Sequence, residues 1–357
     1  MSADAGASGR LDLAALVRES LLLGDAGGRG LAGYVCERCA FGRVLRRDGV
    51  RLGPEVEAVV SIGAFDGLHA GHRRLARAAV ASARERQALA VALTFDPDPA
   101  DVLGVATQED HLLEVDDRMR GLALLGFDAV VALRFDEALW SLSPGAFVRE
   151  RVCSLVRPAG VHVGENFRFG ARGAGDVETL RELGRDLGFR VVAHELVSDG
   201  GTSVSASRVR ADVRAGRVER AAELLSRHHF VRGVVEHGRG EGAGLGFATA
   251  NVRVGELACL PASGVFAGAV VLGGRAWPAA VNVGAPPTFA GRDEALLEAH
   301  LIGFAGDLYG RECSVVLTRW LRESRPFSST EELVRVVQSN IEWVRTNVGS
   351  EGVEVSA

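Results

Sequence analysis

The stretch that most restricts the fold of this chain runs from Val56 to Gln87. An apolar run, Val56 to Ile62, is broken only by Glu57 and reads as a buried strand. Gly63-Ala64-Phe65-Asp66-Gly67-Leu68-His69-Ala70-Gly71-His72 follows, and Arg73–Gln87, rich in Ala and Arg, has helical character. Strand, glycine-rich turn and helix in that order make an anion site: the glycines let backbone N–H groups approach a phosphate, and the helix N-terminus adds partial positive charge. His69 and His72 stand at i and i+3, about 60° apart on one helix face, so both rings can reach the same phosphate.

From residue 55 to about 225, strand and helix patterns alternate. Leu89–Phe95, Asp128–Leu133, Gly160–Val163 and Arg190–Leu196 read as strands, separated by helical patterns over Asp116–Leu125, Ala146–Val156 and Val177–Leu187. The alternation predicts a Rossmann-like α/β domain over residues 55–227. Ligands of these sheets bind beyond the C-terminal strand ends. Residues 63–72, Thr94-Phe95-Asp96-Pro97 and Gly164 to Gly170 all fall there.

After Arg227-His228-His229 the period changes. Short β-like runs (Phe230–Val235, Ala248–Val254, Val265–Leu272, Ala279–Val283, Leu296–Phe304, Cys313–Trp320) alternate with Gly- and Pro-containing turns. They predict a small antiparallel β-barrel over residues 228–350. Glu331–Val348 reads as its closing C-terminal helix, with Leu333, Val334, Val337, Ile341 and Val344 as the apolar stripe. Residues 1–54, ending at Gly53-Pro54, read as an N-terminal extension of unknown role with one short helix, Leu11–Leu23. Cys36 and Cys39 within it have the spacing of half a zinc site, but no second Cys or His pair lies nearby, so they read as unrelated thiols.

With 47% hydrophobic and 24% charged residues, 357 positions can bury two ordinary cores. A net charge of −5 and a pI near 6.0 argue against nucleic acid or an anionic membrane as general partners. Five cysteines, an odd number without even spacing, fit a reducing compartment. Leu11–Leu23 carries Asp12, Arg18 and Glu19 and is neither a signal segment nor a membrane span. The expectation is a cytoplasmic protein whose partners are small molecules, with homo-oligomerisation left open.

The turn at 63–72 resembles the His-x-Gly-His signature of the nucleotidyltransferase superfamily. Three strings follow it in order: Thr94-Phe95-Asp96-Pro97, Val163-Gly164-Glu165-Asn166-Phe167-Arg168-Phe169-Gly170 and Val204-Ser205-Ala206-Ser207-Arg208-Val209-Arg210. The set resembles the adenylyltransferase module of the bifunctional bacterial riboflavin kinase/FMN adenylyltransferase (FAD synthetase) family, of which this chain looks like a divergent member. The resemblance implies attack of the FMN phosphate on the α-phosphate of ATP with release of pyrophosphate, a reaction served by alignment and charge neutralisation. It makes His69 and His72 catalytic contacts to the ATP phosphates, with Gly63, Phe65, Asp66 and Gly67 shaping the turn against ATP. Ser205, Ser207 and a catalytic Arg208 would hold the β- and γ-phosphates, and Asn166 and Phe167 would face the flavin.

The second half carries the partner module. Gly238, Gly240 and Gly246 belong to a Gly-rich loop that brings backbone close to a ligand. Thr249-Ala250-Asn251 resembles the end of the riboflavin kinase Pro-Thr-Ala-Asn motif, which implies Thr249 and Asn251 as holders of Mg²⁺ and phosphate oxygens. Leu260 to Ala267, Asn282-Val283-Gly284 and Pro287-Thr288-Phe289 resemble further family segments. Glu298, ahead of Asp307-Leu308-Tyr309-Gly310, is the implied catalytic base for transfer of the ATP γ-phosphoryl group to riboflavin. Riboflavin, FMN and FAD are then substrates or products, with ATP as co-substrate.

Several positions depart from the family pattern. Ala64 stands for Asn, Asp98 for His, and Ala206 for a hydroxyl-bearing residue; Glu241 and Ala243 occupy basic positions, and Ala248 stands for Pro. A carboxylate near polyphosphate repels it, and losing one donor removes about 3 kcal/mol of transition-state stabilisation. These departures leave other readings open: one activity only, a modified flavin or another nucleotide as substrate, or a catalytically weak flavin-binding regulator.

Overall fold

The computed structural model describes residues 11–20, 33–104, 110–237, 247–284 and 296–355. The chain divides into two compact units, one of Gly30–Glu109 with Leu113–Ala206, the other of Met1–Arg29, Asp110–Leu112 and Ser207–Ala357. In chain order, α1 (Leu13–Ser20) comes first and belongs to the second unit.

The α/β unit contains β1 (Tyr34–Cys39), β2 (Gly42–Arg47), β3 (Glu57–Ile62), α2 (Ala70–Glu85), β4 (Leu89–Asp96), α3 (Pro99–Leu103), α4 (Val115–Leu124), β5 (Ala129–Arg134), α5 (Glu137–Trp140), α6 (Pro144–Phe147), β6 (Arg157–Gly164), α7 (Val177–Leu187), β7 (Arg190–His194) and a short hairpin, β8 (Ser198–Asp199) and β9 (Thr202–Ser203). Its main sheet has the order β1-β2-β5-β4-β3-β6-β7. Strands β5, β4, β3, β6 and β7 are parallel, and β2 and β1 extend the sheet antiparallel. β3 is the middle one of the five parallel strands: the chain winds outward to β4 and β5, then returns to β6 and β7 on the other side. Such a reversal opens a crevice beyond the C-terminal ends of β3 and β6.

Burial explains these elements. Val59, Val60 and Val91 are fully buried because helices cover both faces of a parallel sheet; each such Val contributes roughly 1.5–3 kcal/mol. α2 buries Leu75, Ala76, Ala79 and Ala83, and α7 contributes Val177 and Leu180 to the core around Val60, Val161 and Val163. α7 starts where the Asp176 side chain accepts from Thr179 N and stops at Gly188, whose φ of 81° is open to glycine.

Two details differ from the sequence reading. Residues 34–47, read as part of an extension, form the hairpin β1–β2 at the sheet edge. The helix expected over Ala146–Val156 starts earlier, at Pro144 capped by Ser143, and passes into a single π turn at Val148–Val152. Cys36 and Cys39 sit three residues apart on a regularly paired strand, so they point to opposite faces. All five cysteines are free thiols.

The second unit holds α1, α8 (Ala206–Arg214), α9 (Val218–Leu225), β10 (His229–Glu236), β11 (Ala250–Val254), β12 (Gly264–Leu272), β13 (Arg275–Gly284), β14 (Leu296–Leu301), β15 (Glu312–Glu323), α10 (Thr330–Asn347) and β16 (Val353–Glu354). α8 begins at Ala206, the last residue of the first unit. Strands run β12-β15-β10-β11-β14-β13, and β13 pairs back onto β12, so six antiparallel strands close into a barrel. Closure removes the unpaired edges an open sheet would expose. Val252, Phe266, Val281, Leu297 and Val315 fill the interior. At Gly268 the β12 backbone meets β15 so closely that a Cβ would collide with the Val316 carbonyl oxygen. α1 buries Leu13, Leu16 and Val17, and Leu11 N donates to Asn347 O at the end of α10. Only Ile341 and Val344 of the α10 stripe are fully buried.

Candidate active sites

The glycine-rich turn leaves β3 at Gly63, where a Cβ would press on the Phe65 ring at 3.3 Å. Phe65 (φ 56°) and Leu68 (φ 46°) take left-handed backbone although neither is glycine. Each costs of order 1–3 kcal/mol and persists only where the surroundings over-determine it. They do so here. Both side chains are buried in the core, and the Ala64 carbonyl accepts from Thr94 Oγ1 at 2.9 Å and Arg118 Nη1 at 2.6 Å. The buried Asp66 carboxylate accepts from Leu113 N at 3.1 Å.

His69 and His72 are brought together, though not as two positions on one helix. His69 is the N-cap of α2, with extended backbone, and its Nδ1 accepts from His72 N at 3.4 Å. The two rings stack with centroids 3.7 Å apart, and Phe65 meets His72 edge-on at 5.3 Å. Gly71 permits this, since a Cβ there would lie 3.1 Å from His69 Cε1. Burial lowers the His69 pKa to about 4. Burial, then His69, then Arg118 hold His72 well below the ordinary imidazole value. Both rings are therefore neutral near pH 7, and with Nδ1 accepting, His69 carries its proton on Nε2, as a donor.

Asn166 and Phe167 follow β6, the parallel neighbour of β3, so the turn and this string leave adjacent strand ends. Asn166 is exposed and folds back over Gly164, its Oδ1 3.0 Å from where a Cβ of that glycine would lie. Phe167 is half-buried and stacks on Phe169, with centroids 5.3 Å apart. Ser205 directly precedes α8; Ser207 and Arg208 lie in its first turn, where Ser207 Oγ accepts from Arg210 Nη2 at 3.2 Å.

In the barrel, β11 and β14 pair so that Asn251 stands opposite Glu298, and β13 sets Asn282 beside Glu298 on its other flank. Their sequence neighbours Ala250, Val252, Leu297, Ala299, Val281 and Val283 are core residues, so this polar row faces away from the barrel interior. Thr249 is exposed just before β11. His300 Nδ1 lies 2.8 Å from the Ala248 carbonyl, fixing the backbone beside Thr249. The hydroxyl of Thr249 and the amide oxygen of Asn251 are hard oxygen donors, which suit Mg²⁺. Gly238, Gly240, Gly246, Glu241, Ala243 and Pro287 to Phe289 lie outside the described residues.

Sequence reasoning missed Arg118. This arginine on α4 is 2% exposed, and its Nη1 reaches Asp98 Oδ2 at 3.3 Å as well as Ala64 O. The one hint is a cation at the fourth position of an otherwise acidic helix start, Val115-Asp116-Asp117-Arg118.

Comparison with known proteins agrees with this division. A family model described as FAD synthetase matches residues 54–208, and one described as riboflavin kinase matches residues 225–348. The bifunctional riboflavin kinase/FMN adenylyltransferase of Escherichia coli (strain K12) is 34% identical over 281 residues, 78% of this chain and 89% of that protein. The protein of the same description from Pseudomonas fluorescens is 33% identical over 287 residues, 80% and 92% of the two chains. A crystal structure described as a macrolide-efflux protein from Streptococcus pneumoniae has a TM-score of 0.74 at 27% identity, over 82% of this chain and 95% of that one. Among the described residues of this chain, no helix is long and apolar enough to cross a membrane. A nucleotide-type parallel sheet and a closed kinase barrel in one polypeptide define a two-domain transferase of phosphorus-containing groups. The chain belongs to the bifunctional riboflavin kinase/FMN adenylyltransferase family: it is an enzyme of FAD biosynthesis, with ATP and flavins as substrates.

Proposed function

We propose that the residues assembled above carry the two reactions in turn. On the barrel, Glu298 accepts the proton of the riboflavin 5′-hydroxyl as that oxygen bonds to the γ-phosphorus of ATP and the bond to the β-phosphate oxygen breaks, giving FMN and ADP. Thr249 and Asn251 hold Mg²⁺, which when bound neutralises phosphate charge. Within residues 54–208, an FMN phosphate oxygen attacks the α-phosphorus of ATP, the bond to the bridging oxygen of the β-phosphate breaks, and pyrophosphate leaves. Neutral His69, as an Nε2–H donor, and its stacked partner His72 meet the phosphate oxygens, the backbone of Gly63 to Gly67 lies against the nucleotide, and Ser205, Ser207 and Arg208 hold the departing pyrophosphate. Asn166 and Phe167 meet the flavin. The observation that carries this reading is the stacked His69–His72 pair at the C-terminal end of the central strand.

The setting is read as cytoplasmic, in keeping with five free thiols. The partners are riboflavin, FMN and ATP, and a net charge of −5 supplies no attraction for nucleic acid. Incubating the purified chain with riboflavin, Mg²⁺ and ATP, and resolving flavins by chromatography, tests the reading. FMN followed by FAD is expected. FMN alone would leave only the kinase, FAD only from supplied FMN would leave only the adenylyltransferase, and flavin binding without turnover would overturn both.

A further inference from the structure

We propose that Arg118 is a positioning residue for adenylyl transfer: it pins the phosphate turn through the Ala64 carbonyl and takes up the charge of Asp98. This rests on the reading of the turn as the ATP site. The argument begins with burial. A guanidinium 2% exposed on α4 holds its charge only against a partner of opposite sign or strong acceptors, and Arg118 has both. Nη1 lies 2.6 Å from Ala64 O and 3.3 Å from Asp98 Oδ2, with Thr94 Oγ1 at 3.5 Å.

The two contacts do different things. Thr94 and Arg118 together fill both lone pairs of the Ala64 carbonyl, which fixes the peptide plane leading into Phe65, the first left-handed residue of the turn. That plane aims the backbone entering the His69–His72 stack. The Asp98 contact concerns charge. One Asp98 oxygen accepts from Ala100 N at 3.1 Å, capping α3, and the other is held by Arg118. A carboxylate at the end of the Phe95-Asp96-Pro97 string, where the family resemblance puts a histidine, is thereby paired and does not act as a free anion beside polyphosphate. Arg118 thus compensates a departure that, taken alone, predicts weakened ATP binding.

The test uses the full chain, with riboflavin phosphorylation by the same preparation as a control for folding. Arg118→Met is expected to lower kcat for FAD formation from FMN by about 10²-fold and to raise KM for ATP, with the kinase rate unchanged. Arg118→Lys, which keeps the charge on a shorter side chain, falls by about tenfold. Adding Asp98→Asn to Arg118→Met returns KM for ATP toward the parental value and leaves kcat low, because the unpaired carboxylate is gone while the turn is still unpinned; a structural role alone would not split the two constants. The proposal is overturned if Arg118→Met makes FAD at the parental rate, or if Asp98→Asn changes nothing in that background, while His72→Ala has lost FAD formation. If His72→Ala itself retains FAD formation, it is the reading of the turn as the ATP site that fails. Should Arg118→Met lose both activities by unfolding, Arg118→Lys decides: an unchanged kcat overturns the proposal, and a lowered one with an intact kinase supports it.

Discussion

Asn251 and Glu298 face each other across one rung of the antiparallel ladder between β11 and β14. Directly opposed residues bring their Cβ atoms to about 4.5–5.5 Å, so an oxygen donor suited to a cation and a carboxylate suited to a proton share one rigid surface. Asn282 on β13 flanks Glu298 from the other side. The strands fix this spacing, because the residues on either side of each are locked in the barrel core.

Glu298→Gln keeps the shape of the side chain on that rung and removes the proposed base. Riboflavin phosphorylation is expected to fall by about 10²-fold or more, while FAD formation from supplied FMN stays at the parental rate. An unchanged kinase rate would remove Glu298 from the mechanism.

Asn251→Ala deletes one oxygen donor next to Thr249. The Mg²⁺ concentration for half-maximal kinase rate is expected to rise at least about tenfold, with recovery at high Mg²⁺. Titrating the metal at saturating ATP checks this, and an unshifted curve would place the cation elsewhere.

Acid should destabilise the fold through its buried histidines. Burial lowers His69, His162 and His229 from 6.5 to about 4, and His162 Nδ1 lies 3.0 Å from His194 Nε2, so one proton serves the two rings. Between these values the unfolded chain binds protons that the folded chain refuses. The stability these groups supply is full above pH 6.5 and is lost as pH falls toward 4, by roughly 3 kcal/mol each for the well-buried His69 and His229 and by less for His162, which shares a proton with His194. Thermal unfolding scans should show Tm level from pH 7.5 to 6.5 and falling below that; a level Tm down to pH 4.5 would contradict the assignment.

Gly268→Ala tests barrel closure. Its methyl would collide with the Val316 carbonyl oxygen on β15, and overpacking of this kind costs about 1–3 kcal/mol. Kinase activity is expected to be lost at a lower temperature than in the parent, with FAD formation from FMN keeping the parental profile. Equal thermal inactivation of parent and variant kinase would show that the strands can part locally without harm.

Much of this molecule is written in local pattern. The α/β alternation, the strand–turn–helix at 56–87 and the short antiparallel runs after residue 229 are visible because burial on a sheet or helix imposes its own period on the residues. β1 escaped notice because four of its six residues are exposed and carry no such period. The i, i+3 spacing puts His69 on a helix face, whereas it caps the helix; spacing alone does not distinguish a cap from a first turn when Gly71 lets the ring fold over.

By itself, then, the sequence determined the two fold types, the glycine-rich strand–turn–helix and the identity of the groups available for chemistry, since these depend on neighbours in the chain. The tertiary structure alone decided that Arg118 is buried against Ala64 and Asp98, that Asn251 and Glu298 share a rung, and that β13 returns to β12 to close the barrel. Each joins residues far apart in the chain, and strand register and helix docking, which set such distances, depend on how all the apolar faces pack at once.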